Sequence, residues 1–400
     1  MAVSSIVAIG VQAPAASAKS FKTIVLGADV PETGPAASVL PLALGAAAYL
    51  DSVNAAGGVN GYKFKYDLVD DQYNPALAES AARLLVLQDH VFAMLDDIGA
   101  NTQQAIKPFL LANGVPSIGP ASSDPNTSDA LTYMVGATAD TDGAYQMTYA
   151  INNLAGGKPV GVLYQNDAVG DPYFAAYQQA AAQLAWPITA EPFPTGTTDF
   201  TAEITALQQA GVKVVLIAAS ASALLPAMTT ANSIGFTPDW VVTGYDTTAS
   251  LLKSLPSAQE ANMYFSTSVP LFGTSVTAPL QAALTKYEPS VAMGIDPEIG
   301  WTVASVFMAA FKKMTTGHKV AKHKGLVYQA ATRKGLVKAL DSFKNFSNSL
   351  IKDVTYAPGK GVTLPHVDRP EEAMIAVRNG NLAIVAPFSQ PPRLQGTGTQ

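Results

Sequence analysis

The chain has 400 residues, of which 48% are hydrophobic and 14% charged, a balance typical of well-packed globular proteins rather than disordered ones. Its formal net charge of −6 argues against a nucleic-acid-binding surface, which needs clustered Lys and Arg side chains. The absence of cysteine excludes disulfides, thiolate zinc sites and a cysteine nucleophile, and also a lipidated cysteine as a membrane anchor.

The first residues of the chain have the features of an exported protein. A short apolar run is followed by small residues at Ala16 and Ala18 and by a polar start at Lys19. This spacing predicts a signal peptide remnant over residues 1–18, cleaved after Ala18, although no basic residue precedes Lys19. We therefore expect a periplasmic or extracellular protein; an Ala-rich tail is the alternative interpretation.

Strands and helices alternate through the first third of the chain. Strands are predicted over 22–30, 62–72, 91–97 and 115–123, and helices over 41–58, 74–88 and 100–114. Asn74 has the character of an N-cap, with Pro75 in the first helical turn. This βα alternation predicts a parallel sheet with right-handed crossovers.

The same alternation restarts after a junction near 137–145. Strands are predicted over 158–167, 188–194, 213–220 and 240–246, and helices over 172–185, 200–211, 223–235, 276–289 and 297–314. Short strands follow near 352–362 and 372–388, with a hairpin turn at Asn379–Gly380. Residues 389–400 are predicted to form a flexible tail.

A glycine-rich stretch at Gly57, Gly58 and Gly61 invites comparison with a phosphate-binding loop. Such a loop lies after a strand and before a helix, so that the helix N-terminus faces the anion. Here the glycines follow a helix and precede a strand. They are therefore predicted to end the helix in a left-handed conformation and, with Asn60, to turn the chain into the next strand.

Several segments, in the same order along the chain, resemble the solute-binding proteins of ABC importers of the branched-chain amino acid class. They are "AAGGVNG", "DDQYNPALAESAARLLV", "GVPSIGPASSDPNTS", "VGVLYQNDAVGDPYFAAYQ" and "PTGTTDFTAEITALQQAGVKVVLIA". The resemblance implies an α/β, two-lobed type I periplasmic-binding fold. Each lobe would be a mainly parallel sheet flanked by helices, joined by three hinge crossovers near 137–145, 264–272 and 345–356.

The same resemblance implies a division of the chain and a ligand site. Lobe 1 would comprise 22–140 and 270–347, and lobe 2 would comprise 141–269 and 348–388. The family's ligand loops align with a set of twelve residues: Gly99, Ala100, Asn101, Thr102, Ala121, Ser122, Ser123, Val169, Ser220, Ala221, Tyr245 and Asp246. A serine and two aromatic residues of the family pattern are replaced by Gly99, Val169 and Ser220, so a larger or less zwitterionic ligand than a branched-chain amino acid is expected.

The expected function is delivery of a small molecule to an ABC permease by cleft closure, the solute being an amino acid or a related small polar or aromatic compound. No enzymatic activity, cofactor, metal or nucleic-acid partner is implied, and a monomer is expected. A ligand-sensing module of the same fold is one alternative, and a hydrolase on a doubly wound scaffold is another.

Several individual residues have both a functional and a structural interpretation. Asp96 and Asp97 could serve acid–base chemistry, but acids at strand ends are more often helix caps or solvated. Ser122–Ser123 and Ser220–Ser222 could include a nucleophile, although no Gly-x-Ser-x-Gly elbow is present. The four histidines are interpreted as surface residues. Tyr245 is as compatible with core packing as with ligand stacking.

Overall fold

The computed structural model describes residues 21–122, 130–244, 247, 249–319, 326–327, 329–356, 370–378 and 381–394. Two main sheets organise this part of the chain, a five-stranded sheet in the order β2-β1-β3-β4-β5 and a seven-stranded sheet in the order β14-β13-β10-β9-β8-β6-β7. Helices flank both sheets, so the predicted two-sheet α/β architecture is confirmed.

The first sheet is parallel throughout. Its strands are β1 (Lys22–Val30), β2 (Tyr62–Asp70), β3 (Ala93–Leu95), β4 (Ser117–Ile118) and β5 (Thr132–Tyr133). The helices between them are α1 (Pro41–Ala55), α2 (Pro75–Leu87) and α3 (Ala100–Ala112). The carboxyl ends of β1, β3 and β4 therefore meet at one edge, which is where ligands bind in open α/β sheets.

The second sheet is parallel except at one end, where β13 and β14 run antiparallel. Its strands are β6 (Val160–Gln165), β7 (Ile188–Phe193), β8 (Val214–Ala218), β9 (Asp239–Thr243), β10 (Met263–Thr267), β13 (Glu372–Arg378) and β14 (Asn381–Ser389). Its helices are α4 (Ala139–Tyr149), α5 (Asp171–Gln183), α6 (Thr201–Gln209), α7 (Ala221–Ser233), α8 (Ala249–Ser254) and α9 (Ser257–Glu260).

Three later helices, α10 (Ala278–Tyr287), α11 (Ile295–Met314) and α12 (Arg333–Leu340), return to the first sheet, while β11 (His318–Lys319) and β12 (Leu326–Val327) form a separate ribbon. The long helix α11 packs closely on α1. Both helices carry a glycine at the crossing, because a Cβ at Gly45 would lie 2.0 Å from the Pro297 oxygen and one at Gly300 would lie 1.8 Å from the Leu42 oxygen.

The chain passes between the two sheets three times. It leaves the first sheet after Tyr133 to enter α4, which packs on α5, and it leaves the second sheet after Thr267 to form α10 and α11. After α12 it returns to the second sheet at Glu372. The three predicted crossovers are thus present, while the proposed lobe boundaries at 140, 269 and 347 stay a prediction.

Most of the predicted elements form, and their end signals act as expected. The Asn74 side chain accepts hydrogen bonds from the Ala76 and Leu77 amides at the start of α2. Gly57 and Gly58 have φ of 98° and 71°, which ends α1 in the left-handed region. The predicted leader (1–18), the turn residues 379–380 and residues 395–400 of the predicted tail lie outside the described residues.

Eight of the elements described above escaped prediction: the helices α4, α8, α9 and α12 and the strands β5, β10, β11 and β12. The helix α4 is buried around most of its circumference, so its sequence shows no amphipathic period, and Gly143 lets it approach α5 closely. Residues 389–394, predicted as part of a flexible tail, begin with the last residue of β14 and include Leu394, which is buried against the second sheet. No helix in the described ranges is both long and apolar enough to span a bilayer.

Candidate functional site

A cavity of about 70 Å³ lies between the two sheets, at the ends of strands from both. Its walls come from the loops after β1, β2, β3 and β4 on one side and after β6, β8 and β9 on the other. Most lining groups are apolar. The lining residues are Ala36, Val39, Leu42, Tyr73, Ile98, Gly99, Ala100, Ala121, Ser122, Ala137, Val169, Tyr173, Ile217, Ala218, Ala219, Ser220, Ala221 and Thr243.

Seven of the twelve residues expected at the ligand site line this cavity: Gly99, Ala100, Ala121, Ser122, Val169, Ser220 and Ala221. Asn101 and Thr102 lie beside it in α3 but do not line it. Ser123, Tyr245 and Asp246 lie outside the described residues. The aligned loops of both lobes therefore lie around one cavity. Their contact with a ligand stays a prediction.

Glycine rather than serine occupies position 99 for a structural reason that the sequence pattern did not indicate. Its φ is 120°, a backbone conformation that side-chain-bearing residues rarely adopt. A Cβ there would lie 2.6 Å from both Tyr73 Cε2 and Thr102 Oγ1. The Tyr73 ring therefore occupies the space beside Gly99 that a serine side chain would need.

The helix N-termini of α3 and α7 point at the cavity from opposite lobes. The N-cap residues are Gly99 and Ser220, and neither makes a side-chain capping hydrogen bond. Within the described part of the chain, the first-turn amides of Ala100 and Ala221 have no acceptor. Unpaired amides and the positive end of the helix dipole together favour an anion such as a carboxylate.

Asn101 and Thr102 make other contacts. The Asn101 Nδ2 donates to Asp167 Oδ2 at 3.1 Å, which connects the start of α3 in one lobe to the β6–α5 loop of the other. Asp167 also accepts hydrogen bonds from Thr195, Gln165 and the Val169 amide, and these bonds keep its pKa lowered despite burial. The Thr102 hydroxyl is buried and donates to backbone carbonyls at the start of its own helix.

Two tyrosine side chains line the cavity, although the two aromatic positions of the family pattern fall on Val169 and Ser220. Tyr73, from the β2–α2 loop, and Tyr173, from the first turn of α5, both line the cavity. Both lie within segments that resemble the family, but neither was among the positions aligned with its ligand loops. The sequence shows where the tyrosines are but not which of them reach the cavity. Tyr73 has a left-handed φ of 59°, a backbone conformation that no sequence pattern predicted.

The expectation that Asp96 and Asp97 are capping or solvated residues is wrong. Both are buried, and together with Asp29 and Asp71 they form an acidic layer behind the cavity wall. Burial raises the pKa of Asp97 to about 7 and that of Asp71 to about 6, and it holds the pKa of Asp29 well above its ordinary value, with Asp97 and Asp71 adding repulsion.

Ser220 and Ser222 do not have the geometry of a catalytic nucleophile. Ser220 Oγ donates to Gln165 Oε1 at 3.0 Å and lies 3.1 Å from Ser222 Oγ, and neither partner is a base. His90 is exposed, and the side chains of the other three histidines lie outside the described residues. No group of three or more His, Asp or Glu residues is placed to hold a metal ion within the ranges that the structure covers.

A family model described as a periplasmic binding protein matches residues 23–372. An amino acid binding protein of Pseudomonas aeruginosa is 28% identical over 205 residues, which cover 50% of this chain and 54% of that protein. The chain thus spans about half the length of the curated relatives it matches.

Solved structures with the same fold extend over almost the whole chain. A possible leucine/isoleucine/valine-binding protein from Rhodopirellula baltica superposes with a TM-score of 0.81 at 17% identity, covering 93% of this chain and 98% of its own. A fatty acid ABC transporter substrate-binding protein from Thermomonospora curvata superposes with a TM-score of 0.75 at 20% identity, covering 92% of each chain. At these identities the likeness establishes the fold, the expected type I periplasmic-binding fold.

Proposed function

This chain belongs to the periplasmic binding protein family, and on that premise we propose that it captures a small carboxylate-bearing solute in the cavity between its lobes. The protein would act outside the cytoplasm and deliver the solute to an ABC permease. This role requires binding and release without a chemical step, and no cofactor enters it.

One observation carries the proposal: two uncapped helix N-termini, those of α3 and α7, face the same cavity from opposite lobes. A carboxylate between them receives amide hydrogen bonds from both sides. Because charge-assisted hydrogen bonds are roughly twice as strong as neutral ones, this single group can tie the two lobes together. The anion thereby favours the closed arrangement of the lobes over the open one.

The cavity supports a small and largely apolar solute. At roughly 10–15 Å³ for each water position, its volume of about 70 Å³ corresponds to about five waters. Alanine, valine, leucine and isoleucine side chains supply most of the wall, and Tyr73 and Tyr173 add aromatic surface. The names of the relatives include amino acid, leucine/isoleucine/valine and fatty acid, all of which are carboxylates.

A thermal-shift screen tests the proposal. The purified chain is heated with aliphatic amino acids, aromatic and aliphatic acids, their amides, polyols and small peptides. A ligand that binds only the folded state raises the melting temperature by mass action. We expect carboxylates to raise it and the matching amides and polyols to leave it unchanged. No shift with any carboxylate, or turnover of a tested compound, would overturn the proposal.

A further inference from the structure

A second, much smaller cavity lies next to the proposed solute cavity. Its volume is about 10 Å³, which is the space of about one water. Its walls are rich in oxygen: the lining residues are Ala137, Asp142, Thr243, Gly244, Ser266, Thr267, Ser268, Ile299 and Glu372. Two carboxyl groups and four hydroxyl side chains thus surround space for a single small occupant, and none of the lining residues is basic.

Asp142 contributes one carboxyl group from the first turn of α4. Its Oδ2 accepts hydrogen bonds from the Tyr173 hydroxyl at 2.8 Å and from Gln146 Nε2 at 3.0 Å. Its Oδ1 is buried and receives no hydrogen bond from the described residues. One oxygen of this carboxylate is therefore held in place by donors, while the other remains available to an occupant of the small cavity.

Glu372 contributes the second carboxyl group, at the first position of β13. It is 0% exposed, and neither of its oxygens has a hydrogen-bond donor within the described residues. Burial raises its pKa well above the ordinary value, and the nearby Asp142 carboxylate raises it further. A buried carboxyl group without a donor is costly unless a proton or a cation compensates it.

The small cavity sits where the three crossovers between the lobes meet. Asp142 follows the first crossover, Ser268 begins the second, and Glu372 ends the third. Ala137 and Thr243 line both cavities, and Tyr173 reaches from the solute cavity to Asp142. A charge in the small cavity would thus lie next to the proposed solute cavity and at the crossovers between the lobes.

We propose that Asp142 and Glu372 bind a single small monovalent cation in this cavity: either the primary ammonium group of the bound solute or an alkali-metal ion from solution. The binding of a solute ammonium group here rests on the proposed function, whereas the binding of an alkali-metal ion does not. The carboxyl pair supplies the charge, and the hydroxyl groups of Thr243, Ser266, Thr267 and Ser268 supply neutral oxygen ligands.

The chemistry favours one positive charge over two. The cavity has space for one small occupant, and two carboxyl groups line it. Divalent ions are usually held by more carboxylates or by several retained waters, for which this cavity has no room.

The first experiment tests the ion. Melting temperatures of the wild-type chain, Glu372→Gln and Asp142→Asn are compared in NaCl, KCl, NH₄Cl and choline chloride at equal ionic strength, at pH 6 and 8. Glu298→Gln is the matched control, because Glu298 is also buried with both oxygens unpaired but does not line either cavity. Stabilisation by a small cation over choline, lost in Glu372→Gln and kept in Glu298→Gln, would establish a bound ion.

The second experiment tests the ammonium group. Thermal shifts with leucine and with 4-methylpentanoate, which lacks the amino group, are measured for the same proteins. A larger shift with leucine that disappears in Glu372→Gln and Asp142→Asn but remains in Glu298→Gln would place the ammonium group here. If neither amino group nor small cation has an effect that depends on these two carboxyls, the inference is wrong. In that case carboxylate binding alone would leave the proposed function standing.

Discussion

At the scale of single residues, Gly99 is the position at which the smallest change is expected to disrupt the cavity. An added methyl group would collide with Tyr73 and Thr102 at a φ that disfavours any side chain. We expect Gly99→Ala to weaken carboxylate binding by more than about tenfold, which is about 1.4 kcal/mol, because the Tyr73 ring must move into the cavity. Isothermal titration calorimetry measures the loss.

Gly57→Ala is the matched control for Gly99→Ala. Gly57 has a similarly positive φ of 98°, but a Cβ there meets nothing within 4 Å. Both substitutions carry the backbone cost of a positive φ, on the order of 1 kcal/mol of stability. Only Gly99→Ala should lose affinity, and equal affinities of the two variants would contradict the role assigned to Tyr73.

The acidic layer behind the cavity predicts that stability falls as the pH rises. In the folded chain Asp97, with a pKa raised to about 7, keeps its proton at pH values where the unfolded chain has lost it. Its contribution to stability is therefore fully present below the ordinary pKa near 4 and is lost as the pH rises through about 7. Asp71 acts in the same direction at about pH 6.

Asp97→Asn tests this expectation. The variant should have a higher melting temperature than the wild type at pH 8 and a smaller decrease between pH 5 and 8, because it carries no ionisable group at this position. Its side-chain oxygen can still accept the Ser117 hydroxyl, which lies 2.8 Å from Asp97 Oδ2. The exposed Glu79→Gln is the charge-matched control. A decrease as steep in Asp97→Asn as in the wild type would refute the assignment.

Some of the residues that line the two cavities could be predicted from the sequence. Others could not, for physical reasons. The family loops identified Gly99, Val169 and Ser220 because loop position follows from strand order. Tyr73 was missed because its entry into the cavity depends on a left-handed backbone that no pattern encodes. Glu372 resembles any solvated charge at a strand start, and only the meeting of three crossovers buries it.

At the scale of elements, the contact between α3 and the β6–α5 loop is expected to help hold the lobes together. The Asn101 to Asp167 hydrogen bond bridges them beside the cavity. We expect Asn101→Ala to raise the dissociation constant of a bound carboxylate about tenfold, since a hydrogen bond to a charged group contributes about 1.5–3 kcal/mol. The loss should appear mainly as faster dissociation in stopped-flow measurements.

Asn153→Ala is the matched control for Asn101→Ala. The Asn153 side chain donates to the Tyr149 carbonyl within one lobe, at 3.0 Å. Asn153→Ala removes the same type of side chain and one hydrogen bond, but it does not change the interface between the lobes. Unchanged dissociation in Asn101→Ala, or an equal change in both variants, would mean that the bridge does not stabilise the closed arrangement.

Elements with clear end signals or long apolar runs were predictable, whereas several short or evenly buried ones were missed. The amphipathic helix α2 carries its own start signal in Asn74 and Pro75. In contrast, α4 is buried on most sides and shows no helical period, and β5 has only two residues. The parallel direction of the strands could still be predicted, because βα alternation constrains a sheet more strongly than any single segment does.

At the scale of the whole molecule, the arrangement of two sheets and three crossovers makes the cavity a property of both lobes. The two helix ends proposed to bind the carboxylate belong to different lobes, so we expect a carboxylate to gain its full set of hydrogen bonds only when the lobes are close. The sequence indicated this architecture through the order of its segments, but the identity of the solute depends on side-chain placement that the order does not encode.

The most direct test of carboxylate binding at the helix N-termini removes one amide from the cavity without removing a side-chain contact. Ala221 is the first residue of α7, and proline is tolerated at that position because the helix does not use its N–H. The preceding Ser220 has φ −65° and ψ 151°, which is compatible with a following proline. Ala221→Gly retains the N–H and serves as the control.

Calorimetric titration of leucine, 4-methylpentanoate, benzoate and phenylacetate into the wild type, Ala221→Pro and Ala221→Gly is the measurement. We expect a carboxylate to bind the wild type and Ala221→Gly, and Ala221→Pro to bind it about tenfold more weakly, since a hydrogen bond to a charged group contributes about 1.5–3 kcal/mol. Equal affinity for Ala221→Pro and Ala221→Gly would contradict a carboxylate held at the N-terminus of α7.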